Sequence, residues 1–410
     1  MNKRPSLPTS LAQAQALDRA DPLGPLARAF ALPDKLIYLD GHSLGPAPRA
    51  ALARVHQTTT MEWAQGLIRS WNDAGWIEWP ARVGAKLAPL IGAQAHEVII
   101  TDSVSVNLFK LAAGALGLAR QRCLYVEEDE FPTDQYIAQG LGALVDAPLV
   151  RLGSGDAPTG LAQGGVVIKS LVNYRTSALA DMAALEHAAR AAGALIVWDL
   201  SHATGVVPVA VHRDGARLAV GCTYKYLNGG PGAPAFVFAA TETPPALTSP
   251  IAGWFGHADP FAFAPSFEPA QGVTRFAAGT PGILSLSALD GALDVFAGLS
   301  MDDVAAKAAG LSALTLQRVA ALGLEVLSPL DPAQRGGHIA LRHTEGFQIV
   351  QALIARNVIG DFRAPDTIRF GFSPLFLGWA DVWRAMDALA DILATQAYKD
   401  PRFAQRGIVT

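Results

Sequence analysis

Asp199 closes the apolar run Ala194-Leu195-Ile196-Val197-Trp198, and Lys225 closes the next one, Ala219-Val220-Gly221-Cys222-Thr223-Tyr224. A buried carboxylate at one strand end and a lone lysine at the next are what a pyridoxal phosphate site needs. The lysine holds the cofactor aldehyde as a Schiff base. The carboxylate keeps the pyridine nitrogen protonated so that the ring accepts electrons. As a bare pair, such residues are common. The flanks add specificity, because Lys225 lies between two tyrosines and precedes Leu227-Asn228-Gly229-Gly230-Pro231-Gly232. The competing reading is a strand entering a glycine-rich turn, with Lys225 in solvent.

Other segments supply what such a site requires. Thr101-Asp102-Ser103-Val104-Ser105 follows a strand-like run and opens a helical one. Unpaired N–H groups and the positive dipole end of a helix form a ready cradle for phosphate there. The same residues also read as an ordinary helix cap. Phe131-Pro132-Thr133-Asp134 is by itself only a turn, and His202, three residues after Asp199, takes its interest from that aspartate. The Tyr224 phenol, with an unperturbed pKa of about 10, stands between a lysine and an anionic phosphate, whose influences oppose. In Thr367-Ile368-Arg369-Phe370-Gly371-Phe372 the alternation puts Arg369 opposite the apolar face. A strand-borne guanidinium there is a rigid bidentate clamp for a carboxylate. Arg363 precedes Ala-Pro and reads as loop.

Taken together, Tyr38-Leu39-Asp40-Gly41-His42-Ser43-Leu44-Gly45, Phe131-Pro132-Thr133-Asp134, the run from Tyr224 to Gly230 and Gly253-Trp254-Phe255-Gly256-His257 resemble the kynureninase family. The resemblance runs from about Tyr38 to Phe376. It implies the aspartate-aminotransferase-like fold and hydrolysis of kynurenine to anthranilate and alanine with pyridoxal phosphate. It also implies a homodimer with shared active sites. Carried over residue by residue, it puts Val104 (through its backbone) and Ser105 on the phosphate. Phe131 stacks on the ring, with Pro132, Thr133 and Asp134 beside it and Ser170 and His202 in contact with the cofactor. Tyr224 binds phosphate and moves protons, and Trp254 and Thr280 reach the phosphate from the second subunit. Arg369 is the family's residue for the substrate carboxylate, with His42 and Ser43 also on the substrate side. Trp71 and Gly279 face the aryl ring. Animal-type members, which favour 3-hydroxykynurenine, carry histidine at the place of Trp71 and asparagine before the proline. The apolar Trp71, open Gly279 and short Thr280 therefore point to unsubstituted kynurenine. One departure stands out: the family turn reads Gly-Asn-Ser-Leu-Gly, and His42 replaces the asparagine, which implies tuning and not loss.

Two rivals remain at this stage. A cysteine desulfurase-like lyase on the same fold needs a mobile cysteine, whereas Cys123 and Cys222, the only two, sit in strand-like runs. A cofactor-binding regulator without activity would have no use for Lys225, Asp199, Tyr224 and Arg369 together.

The elements that position these residues follow from the patterning. The 410 residues, 50% hydrophobic and 17% charged with formal net charge −4, fit a large domain plus a smaller one. No basic run suggests nucleic acid, and no apolar run approaches the roughly 20 residues of a membrane span. The charged opening, Met1-Asn2-Lys3-Arg4-Pro5, has no apolar stretch behind it, so no secretory signal is expected. Unpaired cysteines fit a reducing compartment, and a cytoplasmic enzyme is the expectation.

Strands are predicted at 97–101, 122–126, 148–152, 165–171, 194–199, 217–222 and 233–238. Several are apolar on both faces, as in a parallel sheet covered by helices. Helices are predicted at 106–118 and 178–192, giving βαβ alternation. Further on, the expectations are a long amphipathic helix at 283–299, helices at 308–322 and 380–395, and strands at 338–341 and 368–372. The fold class is thus α/β: a mainly parallel seven-stranded sheet between helices and a smaller α+β C-terminal domain, the pyridoxal phosphate fold type I. The expected divisions are an N-terminal arm over 1–56 that returns to the active site, a large cofactor-binding domain over 57–293 and a small domain over 294–410.

Overall fold

The computed structural model describes residues 7–243 and 245–405, so the charged opening read above lies outside the described residues. The first helix, Leu11–Ala20, is capped by Ser10, whose hydroxyl accepts the Gln13 N–H. From this helix the Asp18 carboxylate accepts the Trp379 and Ala380 N–H groups at 2.6 and 3.0 Å. It thereby caps the helix Trp379–Thr395, near the other end of the chain. A short strand, β1 (Ile37–Tyr38), follows.

The main sheet contains β2 (Val98–Ile100), β3 (Leu124–Glu127), β4 (Leu149–Leu152), β5 (Val166–Ser170), β6 (Leu195–Asp199), β7 (Leu218–Gly221) and β8 (Phe236–Ala239), in the order β2-β8-β7-β6-β5-β3-β4. Each lies within or across one of the seven predicted runs. The β3–β4, β3–β5, β5–β6 and β6–β7 pairs are parallel, and β8 runs antiparallel to both β7 and β2. Every residue of β2, β3, β5, β6, β7 and β8 is buried, while β4, at an edge, is partly exposed. The double-sided apolar pattern was therefore a true reading of a sheet covered on both faces. The helices Val104–Leu116, Pro132–Val145, Ala157–Gln163 and Met182–Ala192 connect the strands.

A second sheet is formed by β9 (Glu325–Val326), β10 (His338–Arg342), β12 (Asp361–Arg363) and β13 (Thr367–Gly371), in the antiparallel order β12-β13-β10-β9. Between β10 and β12, β11 (Val358–Ile359) pairs in parallel with β1. That pairing ties the N-terminal stretch to the C-terminal part, and an Asp40–Gly371 bridge extends it.

Three helix readings need correction. The run predicted at 283–299 is helical only over Ile283–Ala292; a tighter turn at Leu293–Phe296 follows, and Gly298, at φ 74°, breaks the pattern. The 178–192 helix begins only at Met182, because Asp181 caps it and residues 178–179 make β-bridges. The helix Met301–Val319 starts seven residues ahead of its predicted position, with Ser300 as cap.

Candidate active site

In a parallel sheet, ligands bind at the carboxyl ends of the strands. Here Ser170 ends β5, Asp199 ends β6 and Lys225 follows β7 by four residues. These three, with Val104, Ser105, Phe131, Thr133, Asp134, His202, Tyr224, Gly279 and Thr280, line one cavity of about 460 Å³. Segments separated by more than a hundred residues thus converge as the motifs implied.

Lys225 is half-buried and makes no ion pair among the described residues. Its Nζ lies 5.9 Å from the centroids of both the Phe131 and the Tyr224 ring. The exposed-turn reading is thereby excluded. Asp199 is buried, and its Oδ1 accepts the Ser201 N–H at 2.8 Å, which fixes the carboxylate beside the cavity. Asp134 is fully buried, and neither of its oxygens has a hydrogen-bond donor. Burial, then the neighbouring Asp199 and Glu130, push its carboxyl well above the usual range. His202 is buried with an unpartnered Nδ1, and burial followed by the Lys225 charge holds its imidazole neutral. Burial, then Cys222, raises the Tyr224 phenol.

At one end of the cavity the helix Val104–Leu116 presents its N-terminus, and Ser103 caps it by accepting the Val106 N–H at 3.4 Å. Asp102 holds a left-handed backbone at φ 45°, rare for a residue with a side chain. Its carboxylate accepts the Thr101 hydroxyl at 2.8 Å and pairs with fully buried Lys110. Lys110 also donates to the Phe276 carbonyl at 2.6 Å, so one ammonium joins the cradle to the chain leading into Gly279. The residues fit pyridoxal phosphate: an uncommitted lysine, a carboxylate beyond it, orphaned polar atoms on Asp134 and His202, and a helix N-terminus for the phosphate.

The sequence profile of the kynureninase C-terminal domain matches residues 304–389. Kynureninase from Burkholderia mallei (strain ATCC 23344) is 48% identical, covering 97% of this chain and 99% of its own. Kynureninase from Pseudomonas fluorescens is 44% identical, over 96% of this chain and 98% of its own. The chain belongs to the kynureninase family. Among solved structures, a cysteine desulfurase from Thermococcus onnurineus NA1 superposes with a TM-score of 0.76 at 16% identity, over 90% of this chain and 98% of that one. The cysteine desulfurase CsdA from Escherichia coli gives 0.74 at 17%, over 91% and 98%. These likenesses show the shared fold.

The remaining residues that the resemblance carried over are placed as follows. Arg369 lies on β13 as read, but it is fully buried and does not line the cavity. Its Nε donates to Asp361 Oδ1 at 2.8 Å, one terminal nitrogen donates to Asp361 Oδ2 and at 3.5 Å to Ser43 Oγ, and the other donates to the Tyr174 carbonyl. A guanidinium has five N–H groups; these four bonds leave one, so the bidentate fork is already filled by Asp361. Arg363 is corrected from loop to strand, on β12, where it pairs with Asp361 at 2.9 Å. Thr280, expected to act across a subunit boundary, lines the cavity of its own chain. Trp254 lies outside that cavity, 36% exposed, with its ring edge-on to Phe255 and Phe261. Trp71 also lies outside it, packed edge-on to Trp76 at 5.7 Å and beside Phe255 at 6.0 Å. Pro132 serves as the first residue of its helix and does not line the cavity either.

The N-terminal stretch meets the backbone of the Lys225 segment, but His42 and Ser43, expected on the substrate side, do not line the cavity. The Gly45 N–H donates to the Tyr224 carbonyl at 2.8 Å, and a Cβ on Gly45 would stand 2.3 Å from the Lys225 carbonyl oxygen. Only glycine allows that approach. Ser43 donates to Asp361 Oδ2 at 3.0 Å, and His42 packs against Gly371. Cys222 reaches the cavity wall, but its thiol is buried, contacts the Ser201 carbonyl at 3.8 Å and is raised by burial; Cys123 is buried too. Neither is the mobile nucleophile a desulfurase needs.

Sequence reading missed Tyr174, whose ring meets Phe131 edge-on at 5.2 Å, and Asp361. Asp361 had a signal: Pro365-Asp366 is a turn pair, and folding 361–371 as a hairpin puts Asp361 opposite Arg369.

Proposed function

We propose that this chain cleaves the Cβ–Cγ bond of L-kynurenine hydrolytically, giving anthranilate and L-alanine, with pyridoxal phosphate on Lys225. The observation that carries the reading is the convergence of an uncommitted Lys225 with Asp199, Asp134, Tyr224 and the Val104 helix N-terminus on one cavity. It is supported by full-length likeness to proteins named kynureninase. When bound, the cofactor supplies the electron sink for carbanion chemistry. Lys225 would hold the cofactor and is placed to take a proton from the substrate's α-carbon. Asp199, held by the Ser201 N–H, would hold the cofactor's ring nitrogen. The raised Tyr224 phenol stays protonated and is therefore a proton donor at neutral pH, not a base. Arg369 is the residue read for the substrate carboxylate; because its fork is held by Asp361 and it lies outside the cavity lining, docking there would have to open that pairing. The open space at Gly279 and the short Thr280, where animal-type members carry asparagine before the proline, favour kynurenine over its 3-hydroxy derivative, since a buried hydroxyl without a partner costs about 1–3 kcal/mol.

The working divisions remain the arm over 1–56, the large domain over 57–293 and the small domain over 294–410. A homodimer fits the exposed apolar side chains Trp63, Leu67, Ile68, Trp254, Phe261 and Phe263, since apolar clusters on a surface mark interaction faces. Two free, buried thiols fit a reducing compartment, as in the cytoplasm. Among the described residues no single helix is long and apolar enough to cross a membrane. The test is anthranilate fluorescence from purified, cofactor-loaded protein given kynurenine. A comparison of kcat/KM with 3-hydroxykynurenine is expected to favour kynurenine, and the reverse order removes the pocket assignment.

A further inference from the structure

Beside the filled fork of Arg369 lies a cluster whose charges and geometry are set to respond to a new anion. His42 is fully buried, with Nδ1 3.5 Å from Asp40 Oδ1 and Nε2 3.6 Å from Asp361 Oδ1. Neither ring nitrogen completes a hydrogen bond, and Asp40 Oδ1 is also without a donor. Gly371 fixes the ring, since a Cβ there would fall 2.1 Å from His42 Nδ1. His338 stacks on its other side, with centroids 5.1 Å apart. Asp40, His42 and Asp361 have the donor set of a cation site. Asp361, however, already meets the guanidiniums of Arg363 and Arg369. Two carboxylates against two guanidiniums leave the cluster close to neutral, and a proton is the charge that fits the remaining space.

We propose that the Asp40–His42 pair takes up a proton from solvent when a ligand carboxylate docks at Arg369. The proposal rests on the reading of Arg369 as the carboxylate site. A docked carboxylate adds one negative charge beside a buried pair that holds both a carboxylate oxygen and ring nitrogens without partners. In such surroundings the added charge is screened little, so the proton-bound form of the pair gains. The proton forms an O–H bond on Asp40 or an N–H bond on His42, and the two titrate as one unit.

The groups facing the pair come from several elements. Arg363, Arg369 and Asp361 lie on β12 and β13, His338 on β10 and Tyr38 on β1, while His202 follows β6 and Tyr226 follows β7. Burial and Asp361 raise the Asp40 carboxyl to about 7, whereas burial and Arg369 lower the His42 imidazole to about 4. Burial raises the phenols of Tyr38 and Tyr226 and keeps His202 and His338 neutral. The two tyrosines and the two other histidines therefore hold their charge state across the neutral range. Asp40 and His42 are left as the pair whose protonation an added anion shifts. In place of the family's asparagine, His42 supplies a second protonatable group.

The experiment is calorimetric titration of the holoenzyme near neutral pH, in buffers of different ionisation enthalpy. The probe is the des-amino analogue of kynurenine, which keeps the carboxylate and aryl ketone but cannot condense with the cofactor. The expected result is net uptake of roughly half a proton or more per site. The carboxamide analogue is expected to bind without uptake, and the Asp40→Asn/His42→Asn double variant to bind the carboxylate with uptake near zero. No uptake by the wild type, equal uptake with the amide, or undiminished uptake in the double variant overturns the proposal. Arg369→Lys separates the two claims. Weakened analogue binding alongside no wild-type uptake sinks the proton linkage alone, and unchanged affinity in Arg369→Lys sinks the carboxylate reading beneath it.

Discussion

At the residue scale, the roles divide by what each side chain is committed to. Lys225 is the cavity's uncommitted amine, so Lys225→Ala is expected to lose both turnover and the visible absorption band of lysine-bound cofactor. Normal turnover in that variant would end the mechanism. Asp199→Ala is expected to retain cofactor through the phosphate cradle but lose activity by orders of magnitude. A variant within a few-fold of the wild type would make Asp199 structural. Arg369→Lys removes the fork that holds Asp361 and leaves a point charge, so KM for kynurenine is expected to rise about tenfold or more. An unchanged KM would move the carboxylate site to Arg363. Lys225 and Asp199 were legible because each chemical signal sits inside its own few residues. The commitment of Arg369 was not, since it depends on a partner eight residues away across a hairpin whose register no local pattern states. The place of Trp71 was not legible for a related reason: a motif position implies a neighbour, and the packing of Trp76 and Phe255 decides where the ring lies.

At the scale of elements, the site depends on two junctions. Gly45 brings the N-terminal stretch against the backbone of Lys225. Gly45→Ala is expected to push that stretch away, lowering stability by about 1–3 kcal/mol and raising KM together, read by denaturant unfolding and kinetics. No change in either would show the contact to be slack. Lys110 joins the phosphate cradle to the Phe276 carbonyl while neutralising Asp102. Lys110→Met removes the partner of the exposed Asp102 carboxylate and the bond to the Phe276 carbonyl, with an expected stability loss of about 1 kcal/mol and weaker cofactor retention on dialysis. Unaltered cofactor retention would remove Lys110 from the cradle. The seven main strands were readable because burial on both faces leaves continuous apolar runs. Short edge pieces such as β9 and β12 were not, because two or three residues carry no period. The overlong helix at 283–299 shows the same limit: apolar composition continues past Ala292, while the backbone turns.

At the scale of the whole molecule, three distant parts of the chain meet at His42, His202 and His338. The folded state lowers the His42 imidazole from 6.5 to about 4, so between those values the unfolded chain binds more protons. The stabilising effect of neutral His42 is therefore complete above the unfolded value and is lost as pH falls toward the folded one, by about 1.4 kcal/mol per pH unit. Relative to His42→Asn, the wild type is expected to lose stability across that window in denaturant unfolding. A difference independent of pH would contradict the buried, neutral placement. Sedimentation is expected to show a dimer, and a fully active monomer would remove the second subunit from the account. The central claim is met most directly by giving cofactor-loaded protein L-kynurenine and quantifying anthranilate and L-alanine by chromatography. The account predicts the two products in equal amounts, and none from Lys225→Ala. Substrate left intact by the loaded wild type, or alanine formed without anthranilate, would contradict it.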